Sequence, residues 1–120
     1  MTRSYKIYQI DLNRQGAEKL AFRPLPPDLD ETAEISSEAY GLVYSGELVC
    51  EPDWDTPAIL ERLFYLLNMK HPADYRARSL SVSDVVGLPG DNVEQFYYCD
   101  TFEFRQVSFF PEGKIPADHI

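Results

Sequence analysis

Thr56-Pro57-Ala58-Ile59-Leu60-Glu61-Arg62-Leu63-Phe64-Tyr65-Leu66-Leu67-Asn68-Met69 is the stretch on which the fold turns. Apolar residues recur at Ile59, Leu60, Leu63, Phe64, Leu66 and Leu67, the three- and four-residue spacing of a helix with one broad apolar face. Thr56 is placed to accept hydrogen bonds from free amides of the first turn, and Pro57 suits the first helical position. Asn68 offers an exit and Pro72 bars continuation, so the spacing predicts one main helix over 57–69. A helix this apolar on one side needs a sheet or another helix to cover it.

Moving outward, the flanks read as strands. Ser4 to Ile10 alternates, with Tyr5, Ile7 and Gln9 on one face and Lys6, Tyr8 and Ile10 on the other. Tyr40 to Leu48 alternates again, and Ser45-Gly46 reads as a turn or bulge near its end. Beyond the helix, Asp84 to Leu88 reads as a strand followed by a turn at Pro89-Gly90-Asp91-Asn92. Gln95 to Cys99 and Phe102 to Phe109 then form a hairpin, with Asp100-Thr101 near its tip. Asp11 or Asn13 is positioned to cap a short helix over 15–22, with Ala17, Leu20 and Ala21 as its apolar side, and Pro24-Leu25-Pro26-Pro27 ends it. Residues 28–38 are acidic and read as a loose helix or an ordered loop. The expectation is an α+β fold: a mixed, largely antiparallel sheet of about four to five strands, packed on the main helix and one or two shorter ones. Residues 1–110 form a single domain, and Pro111, Gly113 and Pro116 mark 111–120 as a fraying tail.

Composition narrows the function. The chain has 120 residues, 44% of them hydrophobic, enough for one core without metal or disulfide support. Its net charge of −9 disfavours direct binding to nucleic acid or to an anionic membrane, where Lys and Arg supply the attraction. No apolar run approaches the roughly 20 residues that span a bilayer, and the start lacks an apolar signal segment. These features point to the cytoplasm, with Cys50 and Cys99 as reduced, structural thiols.

Catalytic patterns are missing. Cys50, Cys99, His71 and His119 are scattered, without the short spacings of a zinc site, so no metal is expected. There is no GxGxxG or GxxxxGK cradle, and no cofactor is expected. Ser79, Ser81 and Ser83 lie near His71 in sequence, and an enzyme would need His71, Ser81, Ser83 and Asp84 to converge in a cleft. The structural alternative makes these serines turn and cap residues. Lys70, His71, Arg76 and Arg78 follow the main helix; the first two complement its C-terminal dipole, and the arginines are available to Asp74, Asp84 or the acidic segment.

The charge distribution is the strongest functional signal. From Pro24 to Glu61 there are ten carboxylates and no Lys or Arg. Such a run is either a solvated face or a surface for a basic protein partner. The interaction reading takes Asp28, Asp30, Glu31, Glu34, Glu38, Tyr40, Asp53, Trp54 and Asp55 as the partner-binding set, with aromatic anchors and steering charges. Trp54 has a second reading, as a staple packed on the first helical turn.

Several blocks together resemble the YodL-like family: Tyr5-Lys6-Ile7-Tyr8-Gln9; Val43-Tyr44-Ser45-Gly46-Glu47-Leu48; the helix end Leu67-Asn68; His71-Pro72-Ala73-Asp74-Tyr75-Arg76; Ser79-Leu80-Ser81-Val82-Ser83-Asp84-Val85-Val86; and Tyr97-Tyr98-Cys99-Asp100-Thr101-Phe102-Glu103-Phe104. The resemblance runs from about Tyr5 to Phe104. It implies a small bacterial domain, mostly of Firmicutes, found also within larger proteins of conjugative and other mobile elements. It supplies context and no mechanism. Family members tend to glycine near Ala77 and at Glu103, which would matter if those positions held a positive φ. The physical reading of the blocks is that they fix backbone. With this context three functions are open: a non-enzymatic protein-interaction domain, a counter-defence protein whose acidic surface occludes a nuclease, and a small enzyme around His71 and Asp84.

Overall fold

The computed structural model describes residues 1–13, 17–26, 28, 33–90, 93–101 and 103–111. Among these residues six strands form one sheet: β1 (Thr2–Ile10), β2 (Glu34–Ile35), β3 (Tyr40–Val49), β4 (Val85–Pro89), β5 (Glu94–Cys99) and β6 (Phe104–Phe109). Their order is β2-β6-β5-β4-β1-β3. All pairings are antiparallel except β2 with β6. The α-helix α1 (Thr56–Met69) connects β3 to β4, which run parallel to each other with β1 between them. The fold is α+β as expected, with six strands rather than four or five. In place of a second helix over 15–22 there is a short 3-10 turn at Ala17–Lys19.

Both faces of the sheet are buried. On one face Ile59, Leu60, Leu63 and Leu67 of α1 pack against Tyr5, Ile7, Leu48, Val86, Leu88 and Tyr97. On the other, Tyr8, Ile10, Tyr40, Val85, Phe96, Tyr98, Val107 and Phe109 pack beneath Ala17, Ala21 and Ala39. Successive residues of a strand point to opposite faces, so the central strands are apolar throughout: Val85 to Leu88 and Phe96 to Cys99 are all buried.

One irregularity phases the two cores. The β1–β3 register shifts between Ile7 and Tyr8, which pair with Tyr44 and Leu42 and leave Val43 as an extra residue. Tyr40 and Tyr44 would share a face in a regular strand; across this bulge they reach opposite ones. The irregularity therefore lies at Val43 and not at Ser45-Gly46, which pair in mid-strand with Lys6 and Tyr5. Gly46 serves close approach: a Cβ there would stand 2.8 Å from the Tyr5 hydroxyl oxygen.

The helix also departs from expectation in detail. Asp55, not Thr56, is its N-cap, with Oδ1 accepting from the Ala58 N–H at 3.0 Å. Phe64 is 42% exposed and sits edge-on to Phe104, so it borders the buried face instead of filling it. Leu20, expected on the apolar side of a short helix, is also exposed. The expected tail, apart from Pro111, and the turn residues 91 and 92 lie outside the described residues. Among those described, no helix is long and apolar enough to cross a membrane.

Candidate functional site

A buried polar node sits where the ends of β1 and β3 meet the start of β4. Gln9 lies on the inner half of β1 and is 3% exposed. Its Nε2 donates to Asp84 Oδ2 at 3.1 Å and to the Arg78 carbonyl at 3.0 Å. Asp84 is fully buried, and Oδ2 also accepts from the Ser81 N–H at 2.8 Å. Among the described residues Oδ1 has no hydrogen-bond partner. Burial raises the carboxyl to about 6, against the opposing effects of the Ser81 amide, Gln9 and the Arg78 charge.

Ser83 adds a second feature. Its φ of 86° is in the left-handed region that a serine seldom occupies. Three bonds hold it there: its N–H donates to Cys99 O at 2.9 Å, its carbonyl accepts from the Tyr40 hydroxyl at 2.6 Å, and its Oγ accepts from the Phe22 N–H at 2.9 Å. Phe22 is the other non-glycine residue described with a positive φ, at 62°. Neither Ala77 nor Glu103 has a positive φ, so the chain meets no left-handed requirement where the family tends to glycine.

These bonds are the anchors of a strap over the second core. After Phe22, the Arg23 carbonyl accepts from the Tyr98 hydroxyl, the Leu25 N–H donates to Asp100 Oδ1, and the Pro26 carbonyl accepts from Arg105. On the helix side, Asn68 clamps Leu80 in both directions, Nδ2 to its carbonyl at 3.0 Å and Oδ1 from its N–H at 2.6 Å. Asn68 was readable only as a helix exit; the two-way clamp depends on a contact twelve residues away. The Ser79–Val86 and Tyr97–Thr101 blocks thus hold loops onto the sheet through backbone bonds.

His71 is exposed with its ring 5.2 Å from that of Tyr75, and no hydrogen bond links it to Ser81, Ser83 or Asp84. Arg76 donates to the Ala73 carbonyl and Arg78 to that of Ile10, so both arginines hold backbone instead of pairing with a carboxylate. Among the described residues, no three His, Cys, Asp or Glu side chains are grouped to hold a metal ion. Cys50 and Cys99 are buried free thiols, and burial pushes Cys99 up to about 12, far from a reactive thiolate. A shallow trough of about 360 Å³ lies over Gly87, flanked by Ser4, Lys6, Ser45 and Glu94. Burial raises the Glu94 carboxyl while Lys6 lowers it.

The acidic surface divides. Asp28, Glu34, Glu38, Asp53 and Asp55 are exposed, and Asp55 spends one oxygen on the helix cap. Asp30 and Glu31 lie outside the described residues. Tyr40 must be withdrawn from the expected surface. It is 8% exposed, with its ring edge-on to Phe109 and its hydroxyl committed to Ser83. The bulge at Val43 puts it on the face away from α1. Trp54 is half-buried and packs against the helix-side core. Glu47 and Glu51, outside the expected set, are exposed. Among the described residues, no Lys or Arg forms an ion pair with Glu34, Glu47, Glu51 or Asp53.

A family model described as YodL-like domain matches residues 4–109. No curated protein and no solved structure matches the chain. The match spans nearly the whole fold, so the chain belongs to the YodL-like domain family.

Proposed function

We propose that this YodL-like domain is a non-enzymatic protein-interaction module that presents its acidic surface to a basic protein partner. The observation that carries the proposal is that Asp28, Glu34, Glu47, Glu51 and Asp53 are all exposed within one stretch of sequence that contains no Lys or Arg. Ten carboxylates in one stretch without Lys or Arg repel one another, and a basic partner relieves that repulsion while gaining a faster encounter. The polar residues that family resemblance singles out are occupied in holding backbone, which leaves this surface as the chemistry the molecule offers. We place the module in the cytoplasm, where its two buried free thiols stay reduced, and in the mobile-element setting that the family resemblance implies.

The test is capture from a bacterial lysate on tagged domain, at low and moderate salt, beside a variant carrying Asp28→Lys, Glu34→Lys and Asp53→Lys. A specific protein should be retained by the wild type, fall away as salt rises, and be lost at least tenfold with the variant. Equal capture by the variant at both salts would remove the acidic surface from the account.

A further inference from the structure

The two edges of the sheet are treated differently. The β6 edge is closed by β2, whose Glu34 and Ile35 pair with Ser108 and Phe109. The β3 edge has no described strand beyond it. Unpaired strand edges are templates for a further strand, and proteins usually blunt them with proline, lysine or a bulge. Here the bulge at Val43 blunts one half only. From Tyr44 to Val49 the register with β1 is unbroken, and the segment contains neither proline nor lysine.

The outward backbone groups can be assigned. Cys50 N donates to Met1 O at 3.0 Å, which fixes the alternation of the antiparallel ladder. Leu48, Gly46 and Tyr44 then bond inward to β1, while Ser45, Glu47 and Val49 turn their N–H and C=O groups to the open side. The side chains of these same three residues are exposed, on the face away from α1. Val49 is 75% exposed, and Leu42 and Val43 are 53% and 41% exposed farther along the edge.

We propose that the Ser45–Val49 edge of β3 binds an extended basic segment of another protein by strand addition, with a Lys or Arg of that segment across from Glu47 and apolar residues beside Val49 and Val43. The inference rests on the interaction reading above and names its geometry. Charge chooses the occupant: Glu47 has no ion-pair partner among the described residues, and the stretch from Pro24 to Glu61 that holds it contains no Lys or Arg, so a cationic residue is favoured across from it. A second copy of this chain is disfavoured, because pairing about Glu47 would set two glutamates directly opposite.

The probe is a labelled ten-residue peptide of alternating lysine and valine, titrated into the full domain, with an alternating glutamate and valine peptide as control. Amide exchange is read by NMR. Binding of the lysine peptide should slow exchange at Ser45, Glu47 and Val49 at least tenfold and weaken with salt. Val49→Pro, which removes an outward donor, should reduce affinity at least tenfold, as should Glu47→Lys, a surface change that leaves the ladder intact. Glu34→Lys, at the opposite edge, should leave it within twofold. Absence of lysine-peptide binding, equal binding of the glutamate peptide, or full binding by both edge variants would overturn the proposal. Loss of binding on Glu34→Lys with Val49→Pro unaffected would keep the acidic interaction reading and overturn the edge. Concentration-dependent dimerisation that Val49→Pro abolishes would give the edge to a second copy, and overturn the proposal as well.

Discussion

Burial lifts the Asp84 carboxyl from 3.8 to about 6, because the charged form loses its water and recovers hydrogen bonds only at Oδ2. The folded state therefore binds this proton more tightly than the unfolded chain. The resulting stability is fully present below about pH 4 and is lost as pH rises through about 6. The gap corresponds to about 3 kcal/mol at neutral pH and above. Asp84→Asn removes the charge and keeps an oxygen for Ser81 and Gln9, but aims an amide N–H where Oδ1 found no partner, at a cost of about 1 kcal/mol. The variant is expected to gain about 1–2 kcal/mol at pH 8, with the gain vanishing near pH 4. Urea unfolding at pH 4, 6 and 8 measures this; a difference between the two proteins that does not change with pH would refute it.

At the scale of elements, α1 shows how much its own sequence specified. Its existence follows from apolar spacing and its extent, to within a residue at the start, from Pro57, Asn68 and Pro72; of the six residues expected on its apolar face, Ile59, Leu60, Leu63 and Leu67 are buried, Leu66 is half-buried and Phe64 is exposed. The cap does not follow in this way. Asp55 and Thr56 are both capable acceptors, and only the extended backbone at Asp55, with ψ of 174°, decides between them. Asp55→Ala is expected to cost about 1 kcal/mol, whereas Thr56→Ala should cost less than half of that; paired thermal melts decide, and equal losses would return the cap to Thr56. The strands were legible for a similar reason: alternation marks β1 and β3, and unbroken apolar runs mark β4 and β5. What stayed hidden depends on partners far off in sequence. The two-residue strand β2 has no pattern of its own and exists through pairing with Ser108 and Phe109. Tyr40 was expected on the surface as an aromatic of the acidic segment, whereas its pairing with Ile10 puts it into the core on the face away from α1. The open edge was equally invisible, since sequence shows strands but not their order.

Across the whole molecule, the strand made first is completed late. β1 lies between β3 and β4, so its two neighbours are separated by the entire helix and its flanking loops. During synthesis β3 becomes available to β1 once residue 49 has emerged, but the other side of β1 waits for Val85 to Gly87. At translation rates of about 5–20 residues per second, β1 stands with an unpaired inner edge for seconds. Ribosome-arrested chains ending between residues 55 and 80 beyond the exit tunnel should be cut readily by protease within β1. Chains that expose residue 110 should resist. Early resistance would mean that β1 and β3 shelter each other without β4. The buried position of β1 thus carries a temporal cost: the nascent chain needs either speed or a chaperone until its middle strand arrives.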